Sequence, residues 1–468
     1  MNKFDVIIIG GGAAAFAAAT KASELGARAV IINSGLPIGG TCVNVGCVPS
    51  KVLLEIGSEY YYPKHPRFRA LKNGHSASFS FKEAIAEKDE MVSALRKSNY
   101  IQVAEGLTGL TLIEGRARFV AGNQIEVNGQ TLEADKFIIA TGSRPRILPF
   151  KGLDKVRYLT NQEALSLSEL PESMIVIGAG PLGLEFAQMY ARFGTRVTML
   201  EKERQILPLA EPEIADELHR SLEAEGILIN TQVNVEMLRE EGKLKVVEAR
   251  VGSNLQTFKA EELLLATGVT PNSDNMGLEA AAVEVDGQGF IKVDEELRTA
   301  ASHIWAAGDV VGKPFLETVA AKEGSVAASN ALEGAKKVID YNSVPKAVFT
   351  DPQVASVGVT EEEFMKRYNV CACRTVEIAR VPKAMVIKET RGLVKMGIHP
   401  ETQVITGVHM VAPMAADLIH EAVLAVKFKL TIDDIIDTVH VFPTMSEAFK
   451  RVAQSFRRDI SKMSCCVE

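Results

Sequence analysis

Four apolar residues, Val6–Ile9, run without alternation into the turn Gly10-Gly11-Gly12 and then into an alanine-rich stretch. An uninterrupted apolar run closed by glycines predicts a strand buried on both faces, as in a parallel sheet, followed by a helix. The same sequence of events recurs at "SMIVIGAGPLGLEFA", and each predicted helix leads to a second strand, "ARAVIIN" and "TRVTMLE". A further matched pair, "FIIATGSRP" (Phe137–Pro145) and "LLLATGVTPN" (Leu263–Asn272), reads as a buried strand entering a glycine turn, and "HIWAAGDVVG" (His303–Gly312) repeats the theme with an acid. Helical spacing runs from about Phe81 to Ala104, and Asn128-Gly129 marks a hairpin turn. From Tyr341 the text changes to antiparallel strands and helices, closing with "SEAFKRVAQSFRRDISKM", a predicted helix with Ala448, Val452 and Phe456 on one face. The expected fold class is α/β: two Rossmann-like dinucleotide-binding domains, 1–150 with 271–340 and 151–270, and a C-terminal α+β domain, 341–468.

Composition narrows the function. The 468 residues exceed one core, and a net charge of −7 without Lys/Arg clusters argues against nucleic acid. The N-terminus superficially resembles a signal peptide, but Asp5 interrupts the required order and the buried strand already explains the apolar run. With no 18-residue apolar stretch, no membrane association is expected, and the chain reads as soluble and cytoplasmic.

The repeated turn fits the dinucleotide fingerprint, with Gly10, Gly12 and Ala15 in the first copy and Gly178, Gly180 and Gly183 in the second. Glycine lets the backbone approach a pyrophosphate, and the helix start offers N–H groups and a positive dipole end. Asn33 and Glu201 each stand 21 residues beyond the second glycine, where a ribose-binding residue belongs. Glu201 suits the free 2′-hydroxyl of NADH, whereas Lys202 and Arg204 suit the 2′-phosphate of NADPH.

Cys42 and Cys47, in "GGTCVNVGCVPSK", introduce redox chemistry. Pro49 suits the first turn of a helix, which puts Cys47 at a helix N-terminus near Lys51 and favours its thiolate. Two buried structural cysteines, or half a zinc site, are the competing readings. Cys371 and Cys373 read as structural, and Cys465 and Cys466 form an adjacent pair at the tail.

"GGTCVNVGCVPSK" resembles the redox-disulfide signature of the flavoprotein disulfide reductases, and "ATGSRP", "GAGPLGLEFA", "ATGVTPN", "AAGD" and "FTDPQVASVGVTEEE" extend the resemblance over essentially the whole chain. The resemblance implies FAD at the first fingerprint, with Thr41, Ala117, Thr141, Gly142, Ser143 and Asp309 around it, and NAD(P)H at the second, with Gly268 nearby. It further implies that Lys51 and Glu185 pair beside the flavin, that electrons pass from NAD(P)H through FAD to Cys42–Cys47, and that Cys47 contacts the flavin. Asn33 departs from the family's usual Glu, which implies altered FAD affinity.

Family members that reduce disulfides use the His of a C-terminal "HPT…E" segment as acid/base. Here the segment is "VHVFPTMSEAF": Phe442 takes that place, Thr444, Ser446 and Glu447 remain, and His440 lies two residues away. A phenyl ring carries no proton. Together with the Cys465-Cys466 tail and Tyr100 in "KSNY", this is similar to the mercury-reducing branch. That branch implies a homodimer whose active site crosses the interface. Hg(II) carried by small thiols is captured by Cys465 and Cys466 of one subunit, passed to Cys42 and Cys47 of the other, and reduced there. The alternatives are a disulfide-substrate reductase such as a dihydrolipoyl dehydrogenase with His440 as base, and a flavoprotein that sequesters thiophilic metal without turnover.

Overall fold

The computed structural model describes residues 3–71, 78–312, 314–370 and 372–463. The chain forms two compact units, each assembled from three segments. The first comprises Met1–Val52, Glu83–Ile147 and Gly268–Ile339. Its sheet is built on β1 (Lys3–Ile9), which pairs in parallel with β2 (Ala29–Asn33) on one side and β6 (Gln130–Ile139) on the other. Parallel β3 (Leu110–Glu114) extends the sheet beyond β2, and the antiparallel hairpin strands β4 (Arg118–Ala121) and β5 (Gln124–Val127) extend it beyond β6. The strand Ile304–Ala306 also pairs with β6 in parallel. Every residue of β2 and the last four of β1 are buried, as a sheet covered on both faces requires.

One cover is α1 (Ala13–Glu24), whose alanine face packs against the helix Glu317–Glu333. Small side chains allow this approach. A Cβ at Gly324 would stand 2.0 Å from the Ala14 carbonyl oxygen, so the later helix reaches α1 only because that position is glycine. The unit also holds α2 (Gly40–Val45) and the start of α3 (Cys47–Tyr61). The helix expected from Phe81 is present as α4 (Phe81–Arg96), but it widens into a π turn over Lys97–Ile101 before a last helical turn, Gln102–Gly106. Such widenings recur at functional sites, and this one carries Tyr100.

The second unit comprises Leu53–Lys82, Leu148–Thr267 and Asp340–Glu468. It repeats the dinucleotide architecture on a smaller scale: β7 (Ser173–Ile177), α5 (Pro181–Phe193), β8 (Arg196–Leu200), α6 (Pro212–Ala224), β9 (Leu228–Asn230) and β10 (Glu262–Leu265). The four strands are parallel in the order β9-β8-β7-β10. The unit also holds a three-stranded antiparallel sheet (Val233–Glu241, Leu244–Val251 and Asn254–Ala260). A five-stranded antiparallel sheet comprises β11 (Lys346–Val348), β12 (Gln353–Gly358), β13 (Ala372–Glu377), β14 (Leu393–Ile398) and β15 (Ile405–Ala412), in the order β11-β12-β15-β14-β13. Helices α7 (Ala415–Phe428) and α8 (Glu447–Gln454) share its core. The C-terminal helix is shorter than its sequence suggests, ending at Gln454. Ala448 and Val452 are fully buried on its inner face, while Phe456 packs on the core from the turn that follows. Among the described residues, no helix is long and apolar enough to cross a membrane.

Candidate active site

Both fingerprint turns have the geometry that their glycines foretell. Gly10 (φ +133°) and Gly178 (φ +107°) occupy backbone that L side chains avoid, and a Cβ on either would press into a carbonyl oxygen of the neighbouring strand, Ala140 or Ala266. Gly12 and Gly180 cap α1 and α5 without any side-chain cap, and neither helix has an acid in its first turn. Two helix starts thus keep their N–H donors for an anion. The third position differs: Gly183 lies where a Cβ would meet the Gly178 carbonyl oxygen at 2.1 Å, whereas Ala15 is accommodated and fully buried.

The two ribose-position residues both face their fingerprint turns. Glu201 is buried and receives the Ala179 N–H at 2.6 Å and the Glu203 N–H at 2.9 Å. Asn33 is buried too, donates to the Leu36 carbonyl at 3.0 Å, and sets its amide oxygen where a Cβ on Gly11 would be. Glu201 thus hydrogen-bonds the middle residue of its fingerprint, whereas Asn33 packs against the middle residue of the other. Lys202 and Arg204 are exposed and line a hollow of about 550 Å³ with Gln205, Gln232 and Asn234.

The first unit carries further polar groups about its turn. Asp309 accepts a 2.6 Å hydrogen bond from Ser143, and burial raises its carboxyl above the ordinary value against that bond. Thr141 has a buried hydroxyl with no hydrogen-bond partner among the described residues. Gly142 (φ +68°) has open space where a Cβ would be. Ala117 is buried in the sheet's core, and Thr41 is exposed on α2. Gly268 (φ +95°) receives the Arg146 N–H at 2.9 Å. An orphaned buried hydroxyl beside an uncapped, glycine-lined helix start fits a bound dinucleotide such as FAD.

The thiols are fastened to the same turn. Gly39 donates its N–H to the Gly11 carbonyl at 2.8 Å, and a Cβ on Gly40 would stand 2.7 Å from the Gly12 Cα. Asn44 ties α2 back to Pro37 and Gly40, and Arg96 holds Asn44 at 2.9 Å. Cys42 is half-buried on α2, and Cys47 is exposed as the first residue of α3, one turn before the half-buried Lys51. The two thiols hydrogen-bond each other. That bond, then burial and the charges of Cys47 and Glu317, push the Cys42 thiol well above its usual range. Among the described residues, no group of three or more His, Cys, Asp or Glu is placed to hold a metal ion.

Tyr100 is buried, edge-on to Phe16 (4.9 Å between centroids) and against Gly39. Burial, with the charges of Cys42 and Glu317, pushes its phenol up to about 12, so it remains a neutral hydroxyl. Glu317, the first residue of its helix, belongs to this cluster and no sequence signal pointed to it.

In the second unit, Glu185 lies buried on α5 and accepts the Phe349 N–H at 2.9 Å. Phe442 is half exposed. The His440 ring lies between two acceptors, the Thr438 carbonyl at 3.0 Å and the Glu421 carboxylate at 2.8 Å, of which a neutral imidazole donates to one. Glu447 is buried with one oxygen unpartnered among the described residues. Cys373 is half-buried on β13. Cys371, Cys465 and Cys466 lie outside the described residues.

Residues 4–324 match the family model of pyridine nucleotide-disulphide oxidoreductases, and residues 344–453 match that family's dimerisation domain. A mercuric reductase of Staphylococcus aureus is 38% identical over 99% of this chain and 84% of its own length. For a mercuric reductase of Streptomyces lividans the values are 39%, 99% and 98%. A mitochondrial dihydrolipoyl dehydrogenase of Arabidopsis thaliana is 36% identical over 96% of this chain and 90% of its own. The Cu(II) complex of the HOCl-induced flavoprotein disulfide reductase RclA from Escherichia coli superposes with a TM-score of 0.87 at 27% identity, covering 98% of this chain and 100% of that one. With both family models matched in sequence, a parallel-sheet fingerprint in each unit and a cysteine pair braced on the first of them, the chain is an enzyme of the pyridine nucleotide-disulphide oxidoreductase family.

Proposed function

We propose that this enzyme reduces Hg(II) to Hg(0) with electrons from NAD(P)H, as a homodimer. The observation that carries the reading is the contrast between its two ends. A hydrogen-bonded thiol pair sits on the first fingerprint turn, while Phe442, which cannot carry a proton, stands where the resemblance puts the acid/base of a disulfide reductase. The mercuric reductases among the relatives support it.

FAD, when bound, supplies the two-electron link between a nicotinamide and the thiols. Gly10, Gly12, Thr141 and Asp309 would hold it, and Gly178, Gly180 and Glu201 would hold NAD(P)H. We assign Lys51 and Glu185 to the hydride-transfer half of the reaction. In the other half, Cys42 and Cys47 displace two external thiols from Hg(II). Each cysteine proton leaves with a departing thiolate, so a neutral dithiolate becomes another neutral dithiolate. Soft sulfur ligands suit a soft metal, and Tyr100 contributes an un-ionised hydroxyl beside them. Cys465 and Cys466 of the partner subunit are proposed to deliver the metal.

The deciding experiment is anaerobic NAD(P)H oxidation with Hg(II) in excess thiol, scored by release of mercury vapour and run beside Cu(II), lipoamide and glutathione disulfide. Mercury vapour with stoichiometric NAD(P)H loss is expected. Faster turnover of lipoamide or glutathione disulfide than of Hg(II) would overturn the reading, and NAD(P)H loss without vapour would reduce it to metal sequestration.

A further inference from the structure

Helix α5 carries Glu185, Gln188 and Arg192 on one face, at spacings of three and four. All three are buried, and all three bind one short segment, Phe349–Asp351, between β11 and β12. Gln188 does so in both senses. Its amide N–H donates to the Asp351 carbonyl at 2.8 Å, and its amide oxygen accepts the Asp351 N–H at 2.8 Å. A side-chain amide that pairs with both main-chain groups of one residue imitates a strand partner, and fixes that residue's register as well as its distance.

Arg192 holds the same residue by its side chain, Nη2 to Oδ2 at 3.0 Å, and Tyr62 donates its hydroxyl to that oxygen. Two residues earlier in the segment, the Phe349 N–H meets Oε1 of Glu185 at 2.9 Å. A buried carboxylate receiving a main-chain donor makes a charge-assisted bond with a defined direction. The donor is no better placed than the segment that carries it.

We propose that Gln188 is a positioning residue for Glu185. Its paired hydrogen bonds to Asp351 lock the segment so that the Phe349 N–H orients the Glu185 carboxylate for hydride transfer. This rests on the assignment of Glu185 to that step. The fingerprint turn, at the far end of the same helix, is held separately by Gly180, Gly183 and the Glu201–Ala179 bond. Nucleotide binding and carboxylate orientation are therefore expected to separate on mutation.

The test uses FAD-loaded protein. Gln188→Met keeps length and volume but removes both hydrogen bonds to Asp351, together with the 3.2 Å one to Glu225. Gln188→Glu, held neutral by the neighbouring Glu225 carboxylate, keeps the acceptor for the Asp351 N–H and offers an O–H to the Asp351 carbonyl. Hydrogen exchange of a peptide spanning 346–353 is expected to quicken in Gln188→Met and to stay near wild type in Gln188→Glu. The limiting rate of flavin reduction by NADPH is expected to fall about tenfold in Gln188→Met, the cost of a misplaced group rather than a missing one, with NADP⁺ affinity unchanged. Gln188→Glu is expected to retain most of the rate, and carries the test alone if Gln188→Met does not fold. A wild-type limiting rate in Gln188→Met overturns the positioning role, as does a Gln188→Glu variant that keeps its slow exchange yet loses the rate. A wild-type protein whose flavin is reduced by neither NADPH nor NADH would instead overturn the proposed function.

Discussion

Arg192 grips Glu225 through two parallel hydrogen bonds, Nε to Oε2 at 2.9 Å and Nη2 to Oε1 at 2.8 Å, with 2% and 3% of the two side chains exposed. A fork of this kind tolerates burial because each charge satisfies the other, and losing Glu225 leaves Arg192 with Asp351 as its remaining carboxylate. Glu225→Ala is expected to cost about 3–5 kcal/mol. Because Arg192 also holds Asp351 at 3.0 Å and Glu225 also meets Arg391 at 3.4 Å, replacing both Arg192 and Glu225 by Met should cost more than Glu225→Ala alone. Urea unfolding of the three proteins decides it.

His409 supplies a pH signature. Burial pushes its imidazole below the ordinary value, against the Val359 carbonyl and the charges of Glu211 and Glu363 and in concert with Lys395. Above the unfolded value, about 6.5, both states are neutral. As pH falls below it, the unfolded chain takes up a proton that the folded one refuses. Stability therefore declines on the acid side, by at most about 1.4 kcal/mol per pH unit for one group. The loss levels off below the folded value. Urea midpoints at pH 7.5 and 5.5 should draw together in His409→Gln. An unchanged gap would assign the acid sensitivity to other groups.

Gly40→Ala should loosen FAD. The residue has φ +61°, and the new Cβ would press on the Gly12 backbone, prising α2 from the fingerprint turn. Gly26→Ala is the control: its φ is +71°, but nothing lies within 4 Å of the new atom. Both variants bear left-handed strain of about 1–2 kcal/mol, so only the first should show a reduced ratio of flavin to protein absorbance after gel filtration. Equal ratios would remove the turn from any role in retention.

Lys202 and Arg204 flank a solvent-open hollow beside the buried Glu201. If they receive a 2′-phosphate, replacing both by Ala should raise KM for NADPH by tenfold or more, the loss of a charge-assisted hydrogen bond being about 1.5–3 kcal/mol. KM for NADH should barely move. Parallel increases for both nucleotides would point instead to a general disturbance of the loop.

The tail is testable without any structural assumption. Replacing Cys465 and Cys466 by Ala should leave flavin content and its reduction by NAD(P)H intact. Turnover of Hg(II) held by a bulky dithiol should drop sharply, and that of small complexes such as the bromide should drop less. Equal wild-type and variant rates on the dithiol complex would end the relay proposal.

What could be read in the sequence was what lies close along the chain. The glycines of each turn sit within six residues of one another, so their spacing alone announces the strand, the turn and the helix. Cys42, Cys47 and Lys51 share one short stretch for the same reason. Other parts depend on distant pieces meeting. Glu317 enters the thiol cluster from a helix far along the chain, and Phe349 reaches Glu185 across 164 positions. No local pattern marks either. The widened turn at Lys97–Ile101 also escaped notice, since the residues there keep helical spacing. The raised Cys42 thiol follows from its partner and its burial, neither of which a helix-terminus argument contains.

The fit between Ala14 and Gly324 has a consequence for biosynthesis. The sheet that carries the first fingerprint is complete only when Ile304–Ala306 has joined β6, and α1 is covered only when Glu317–Glu333 has come to lie against it. A ribosome makes these pieces roughly 300 residues after β1, at about 5–20 residues per second. For all that time the alanine face of the first helix lacks its partner, while segments of the second unit are being synthesised in between. The first motif to be translated thus belongs to a unit that closes late, and its apolar face stays uncovered by its native partner until the long-range pairing is made.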